Sequence, residues 1–113
     1  MVAEYVPNTG DVAWITLDPR EGHEQAGRRP FLILTPKFYN AKTSLAVGCP
    51  ITSVVKGYPF EVPLVGSTLS GVVLADQVKS VDWRVRRAEF QERLGPQTIK
   101  RIRLLLKQLL TIP

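Results

Sequence analysis

The chain has 113 residues, 44% of them hydrophobic, which is one domain's worth of sequence with enough apolar content for a packed core and too much for disorder. Fifteen Lys and Arg against ten Asp and Glu give a formal charge of +5, a balance that favours polyanionic partners. No apolar run is long enough to span a bilayer, since "LLLKQLL" is short and broken by Lys107, and "MVAEYVPNTG" has neither the basic nor the apolar region of a signal peptide, so a single soluble, cytoplasmic domain over residues 1–113 is expected.

The first strand is predicted at 11–17, "DVAWITL", apolar on both faces, with Val12 and Trp14 on one and Ala13, Ile15 and Leu17 on the other. Asp18-Pro19 marks a turn, and "GHEQAGRRP" at 22–30 forms a polar loop before the strand "FLILT" at 31–35. This loop holds the only histidine, His23, together with Glu24, Arg28 and Arg29. Pro30 pushes Arg29 toward an extended conformation at the strand's beginning. A guanidinium placed there matches a phosphate bidentately and keeps its charge. An acid and an arginine on a polyanion-attracting surface suit metal-free phosphodiester transfer, in which a base, a proton donor and a fixed cation are needed. By spacing alone, a surface ion pair of little energetic weight is the stronger reading of Glu24 and Arg29. His23 has no second histidine to share a mechanism and reads as a loop residue.

"KFYNAK" at 37–42 follows Pro36 and is predicted as one or two helical turns. "LAVGCPIT" at 45–52 is the next strand. The lone Cys49 lies in this apolar run and reads as a small buried hydrophobe. One Cys and one His exclude an internal disulfide and argue against a zinc site, and no cofactor is expected. Thr52 and Ser53 end the strand, so their hydroxyls fall at a rim. "KGYPF" then sets Lys56, Gly57 and Tyr58 beside them, a cation and an aromatic of the kind that holds unpaired bases and the phosphates between them. Phe60 alternates with Val62 and Leu64 and reads as core.

Strands at 60–65 ("FEVPLV"), 71–75 ("GVVLA"), 77–83 ("QVKSVDW") and 85–90 ("VRRAEF") follow, separated by glycine turns. Pro50 and Pro63 each remove a ladder donor and belong at edges or bulges. Asp76 and Gln77 interrupt an apolar strand and offer donor and acceptor groups to base edges. Lys79, Trp83, Arg84, Arg86 and Arg87 follow; Trp83 reads equally as a core anchor or a stacking platform. The final segment is predicted as a 14-residue helix: Gly95 caps it, Pro96 takes the first position, and Ile99, Ile102, Leu105, Leu106 and Leu109 form one stripe. Lys100, Arg101, Arg103 and Lys107 lie mostly opposite and solvate the helix. Leu104 falls on this polar side, either as an ordinary exposed leucine or as a contact to a partner chain.

Many short strands at this spacing argue for a barrel or a strongly bent sheet. "YVPNTGDVAWITLDP" with "GHEQAGRRP", "CPITSVVKGYPFEV" and "GVVLADQVKSVDWRVR" resembles the MazF/PemK family of toxin ribonucleases, over most of residues 1–87. The resemblance implies a mainly β, SH3-like small barrel of the CcdB/MazF/PemK type with a C-terminal amphipathic helix. It also implies a homodimer that cleaves single-stranded RNA at short motifs without metal, by 2′-OH attack, leaving 2′,3′-cyclic phosphate and 5′-hydroxyl ends. The family's catalytic arginine and threonine fall on Arg29 and Thr52, and an activity-linked glutamate on Glu24. The RNA groove is implied along Lys56, Gly57, Tyr58, Asp76, Gln77, Lys79 and Ser80, with Arg28, Trp83, Arg84 and Arg86 beside it. A cognate MazE-like antitoxin is implied to cover that groove with an acidic extended tail. One departure is Arg28, where a relative carries histidine. Two other functions fit a small basic barrel: a gyrase poison, against which "GRRP" and "KGYPF" argue, and a passive single-strand binder.

Overall fold

The computed structural model describes residues 4–17 and 27–111. In chain order it contains β1 (Asp11–Leu17), β2 (Gly27–Ile33), α1 (Lys37–Thr43), β3 (Leu45–Thr52), β4 (Glu61–Pro63), β5 (Val72–Leu74), β6 (Lys79–Asp82), β7 (Glu89–Arg93) and α2 (Pro96–Leu109), with one 3₁₀ turn at Ala75–Gln77 before β6. All strand pairs are antiparallel, in the order β4-β5-β3-β2-β1-β7, and β6 also pairs with β3. The long strand β3 makes this arrangement possible. One of its flanks meets β6 from Leu45 to Gly48 and β5 at Ile51 and Thr52. Pro50 lies in the changeover between these two partners, where no ladder donor is required on that flank. Pro63 ends β4, the outermost strand, as a strand proline should.

The sheet bends into a small barrel-like fold that stays open between β4 and β7. Side chains bridge that seam: Glu92 of β7 accepts a very short hydrogen bond from the Ser67 hydroxyl and one from the Thr68 N–H at 3.1 Å. Alternation along the strands produces two cores. Val12, Leu32, Cys49, Ile51, Val62 and Val73 face one side, where Ile99 and Ile102 of α2 cover them. Ala13, Ile15, Phe31, Ile33, Val81 and Trp83 form the other. The α2 stripe is buried at Ile99 and Ile102, partly buried at Leu105 and Leu106, and exposed at Leu109. Leu104 is also exposed, as its position opposite the stripe requires.

A buried amide fixes α1 against this frame. The Asn40 side chain donates to the Pro7 and Thr35 carbonyls, both at 2.9 Å, and accepts from the Thr35 hydroxyl at 2.7 Å. Every polar atom of that amide is thereby satisfied in the interior, which is what its burial demands.

The strands expected at 60–65 and 71–75 shorten to Glu61–Pro63 and Val72–Leu74, and three others shift. The strand expected at 31–35 begins at Gly27, because β1 runs to Leu17 and pairs with residues as far back as 27. The residues "GRRP" therefore belong to the ladder. The strand expected at 77–83 starts only at Lys79, after the 3₁₀ turn. The segment 85–90 is largely turn, with Arg87 in the left-handed region at φ 55°, and the strand follows at Glu89–Arg93. That last strand lies at the sheet's edge, and its polar sequence "EFQER" hides any apolar alternation.

Candidate functional site

The two strands that carry the predicted catalytic pair are neighbours. Leu32 pairs with Cys49 and Phe31 with Pro50. The ladder between β2 and β3 ends at Phe31 and Pro50, so Arg29 of β2 and Thr52 of β3 each lie two residues beyond its end, on neighbouring strands. Arg29 also pairs with Ile15 of β1, so its backbone is fixed on one flank by a ladder. Thr52 is buried, and its hydroxyl accepts the Val54 N–H at 3.2 Å. Gly71 holds the other side of this residue. A Cβ at Gly71 would stand 2.1 Å from the Thr52 carbonyl oxygen, and its φ of +124° is one that side chains avoid. The predicted third member, Glu24, and the neighbouring His23 lie outside the described residues.

The segment after Thr52 supplies the expected cation and aromatic. Residues 54–58 have no regular structure, and Lys56 and Gly57 are exposed. Side chains shape this loop. Glu61, at the start of β4, accepts the Lys56 N–H at 2.9 Å and the Gly57 N–H at 2.7 Å. Tyr58 donates its hydroxyl to Asp76 at 3.1 Å, tying the loop to the 3₁₀ turn that carries Asp76 and Gln77. Burial and then the Asp76 carboxylate push the Tyr58 hydroxyl pKa up, so the phenol stays a donor. Glu61 was not singled out from the sequence. The signal available was a carboxylate opening an otherwise apolar strand, "FEVPLV".

Cys49 is fully buried, and burial followed by the Asp76 charge raises its thiol to about 12. It is the inert core residue that its apolar context predicted. Among the described residues, no group of three or more His, Cys, Asp and Glu side chains could hold a metal ion. No helix among the described residues is long and apolar enough to cross a membrane.

The remaining basic residues divide by location. Lys79 lies opposite Gly48 and Ser80 opposite Val47, on the strand beside β3. Arg28 is committed to the protein itself: its guanidinium donates to the Thr16 hydroxyl at 3.1 Å and to the Arg86 and Arg87 carbonyls at 3.4 and 2.8 Å. Arg86 donates to the Thr16 carbonyl at 3.0 Å. Both side chains thus pin the 83–88 turn to the end of β1. The structure decides the alternatives for Trp83 in favour of the core: it is 2% exposed and donates its indole N–H to the Asn40 carbonyl at 2.9 Å. Arg84 covers that ring at 4.2 Å and pairs with Glu4 at 3.0 Å. It lies past the Leu45 end of β3, at the opposite end of that strand from Thr52.

Comparison with known proteins places this geometry among relatives. The family model described as PemK-like, MazF-like toxin of type II toxin–antitoxin system matches residues 8–110. The chain is 48% identical over 103 residues to a protein of Escherichia coli (strain K12) named endoribonuclease toxin MazF, covering 91% of this chain and 93% of that one. It superposes on the crystal structure of MazF from Deinococcus radiodurans with a TM-score of 0.91 at 47% identity, over 96% of this chain and 100% of that one. A MazE–MazF crystal structure from the same organism matches with a TM-score of 0.88 at 47% identity, over 97% and 100% of the two chains.

Proposed function

The chain belongs to the PemK-like, MazF-like toxins of type II toxin–antitoxin systems, and on that premise we propose that it is an endoribonuclease toxin that cuts single-stranded RNA at short sequence motifs. The observation that carries the reading is the 48% identity, over 91% of this chain, to a protein named as an endoribonuclease; it is supported by Arg29 and Thr52 lying just beyond the end of one strand ladder. In this reading the ribose 2′-OH attacks the adjacent phosphorus without a metal. The 5′-oxygen leaves with a proton, and the products are a 2′,3′-cyclic phosphate and a 5′-hydroxyl. Arg29 stabilises the charge that builds on the phosphate oxygens, and Thr52 and Glu24 orient or move protons. Lys56, Gly57, Tyr58, Asp76 and Gln77 contact the RNA beside the scissile phosphate. Lys79 and Arg84, with the Ser80 hydroxyl between them, extend the polar surface away from it.

The partner readings follow from the same relatives. Because a MazE–MazF complex is known for a chain of this fold at 47% identity, a MazE-like antitoxin is proposed to neutralise this chain by covering the loop surface around Lys56 and Asp76. A homodimer is proposed as the active form.

The test is incubation of the purified chain with a long single-stranded RNA in excess EDTA, followed by sequencing of the cleaved ends. Discrete cuts at one motif with cyclic-phosphate termini are expected. Intact RNA overturns the reading. The Arg29→Ala variant is expected to fold and bind RNA but to cleave about 10²–10³-fold more slowly, the usual cost of removing a charge stabiliser. Cleavage at the unsubstituted rate removes Arg29 from the site.

A further inference from the structure

The loop proposed to hold RNA has almost no backbone ladder of its own. Its described N–H donors go to two side chains: Val54 to the Thr52 hydroxyl, and Lys56 and Gly57 to the Glu61 carboxylate. Glu61 is 8% exposed. A carboxylate is stable at such a depth only when it is hydrogen-bonded, and here consecutive backbone N–H groups converge on its two oxygens. Gly57 allows the convergence because it sits at φ +86°, a turn that points neighbouring N–H groups the same way. Glu61 is itself anchored, since its own N–H reaches the Tyr58 carbonyl at 3.1 Å and β4 pairs with β5 through Leu74.

We propose that Glu61 is a positioning residue for RNA: its buried carboxylate closes the Lys56–Gly57 turn from inside and so aims the Lys56 ammonium and Tyr58 at the substrate. This rests on the endoribonuclease reading. A carboxylate that fills a pair of converging N–H groups also keeps a phosphate from settling there. The backbone nest is occupied, and the Lys56 ammonium is left to meet the RNA. The alternative is that Glu61 contributes to stability alone. The two differ in what they couple to. A stabilising residue affects the folded fraction, whereas a positioning residue acts through Lys56.

The experiment compares Glu61→Gln, Lys56→Ala and the double variant on one single-stranded RNA oligonucleotide carrying the motif mapped for the unsubstituted chain. Glutamine keeps the volume, but its carbonyl oxygen can take only one N–H while its amide nitrogen faces the other. For Glu61→Gln a rise in KM of about tenfold is expected, the size of one charge-assisted hydrogen bond, with kcat within about twofold. The slope of log Kd against log salt is expected to fall by about 0.7, one single-strand phosphate contact. In the double variant the two effects are expected not to add. Additive effects, or an unchanged KM and salt slope, overturn the proposal. If thermal unfolding shows Glu61→Gln to be unfolded, Glu61→Asp, which keeps the charge but shortens its reach, is held to the same outcomes. Failure of the unsubstituted chain to cut RNA defeats the endoribonuclease reading and this inference with it. Cutting by the unsubstituted chain with an unmoved Glu61→Gln defeats this inference alone.

Discussion

At Arg28, geometry matters more than charge. Three oxygen acceptors surround one guanidinium, two of them carbonyls of the 86–87 turn, and Arg87 in that turn adopts a left-handed conformation that costs energy for a residue with a Cβ. Glu89 adds only a distant ion pair at 3.6 Å on an exposed side chain. A planar fork of donors spans three acceptors, and an ammonium does not. Arg28→Ala and Arg28→Lys are therefore both expected to lose about 0.5–1 kcal/mol, seen as a drop of a few degrees in Tm. A lysine variant as stable as the unsubstituted chain would show that charge alone suffices. The sequence put Arg28 beside the RNA because a basic residue next to Arg29 looks like part of one patch. Nothing in the local sequence indicates that residues 86 and 87 fold back onto Thr16. The same limit applied to Trp83, whose two readings differ only in which surface its ring meets. Glu61 was passed over because a single carboxylate in an apolar stretch gives no hint of the N–H groups that will converge on it.

At the scale of elements, the Thr52 end of β3 depends on what packs against its backbone. Gly71 begins the approach to β5 with no room for a side chain. Gly66, in the same connection, has φ +72°, close to the left-handed region, and an added Cβ there would meet nothing within 4 Å. Gly66 carries a mild conformational cost alone, whereas Gly71 carries a larger one and a collision as well. Gly66→Ala is expected to lose about 1 kcal/mol from its φ alone. Gly71→Ala is expected to lose about 2–4 kcal/mol, because its φ of +124° is strained for alanine and the obstacle is the Thr52 backbone, which cannot rotate away. It is also expected to slow cleavage in the fraction that remains folded. Thermal unfolding of both variants with a cleavage assay checks this, and equal losses would refute the larger cost at Gly71. The helix α2 was legible in the sequence because period, cap and Pro96 agree over fourteen residues. The strand β7 was not, because an edge strand that pairs only with β1 tolerates a polar sequence.

For the whole molecule, the open seam between β4 and β7 is bridged by one acid. Burial pushes the Glu92 carboxyl up, but hydrogen bonds from the Ser67 hydroxyl and from Thr68 outweigh that, and the net effect is a pKa below its ordinary 4.5. A carboxyl whose folded value is lowered contributes stability above its unfolded value, and that stability is lost as pH falls through the folded one. Stability is expected to hold down to about pH 4.5 and to decline below it. In Glu92→Gln the part of that decline due to this group, under about 1 kcal/mol at a partly exposed site, is expected to disappear. Unfolding midpoints of the two chains across the acid range check it, and parallel curves would refute it.

The sequence by itself determined the class of the fold, the C-terminal helix, the inert cysteine and the four stretches that carry the family resemblance. Each of these is written in local pattern: period, turn residues, or a short motif. Only the tertiary structure decided that the strands bearing Arg29 and Thr52 are neighbours, that Arg28 and Trp83 serve the scaffold, and that Glu61 holds the Lys56 turn. Those facts depend on strand register and on which backbone donors converge on which side chain, and both arise from contacts between residues far apart in the chain.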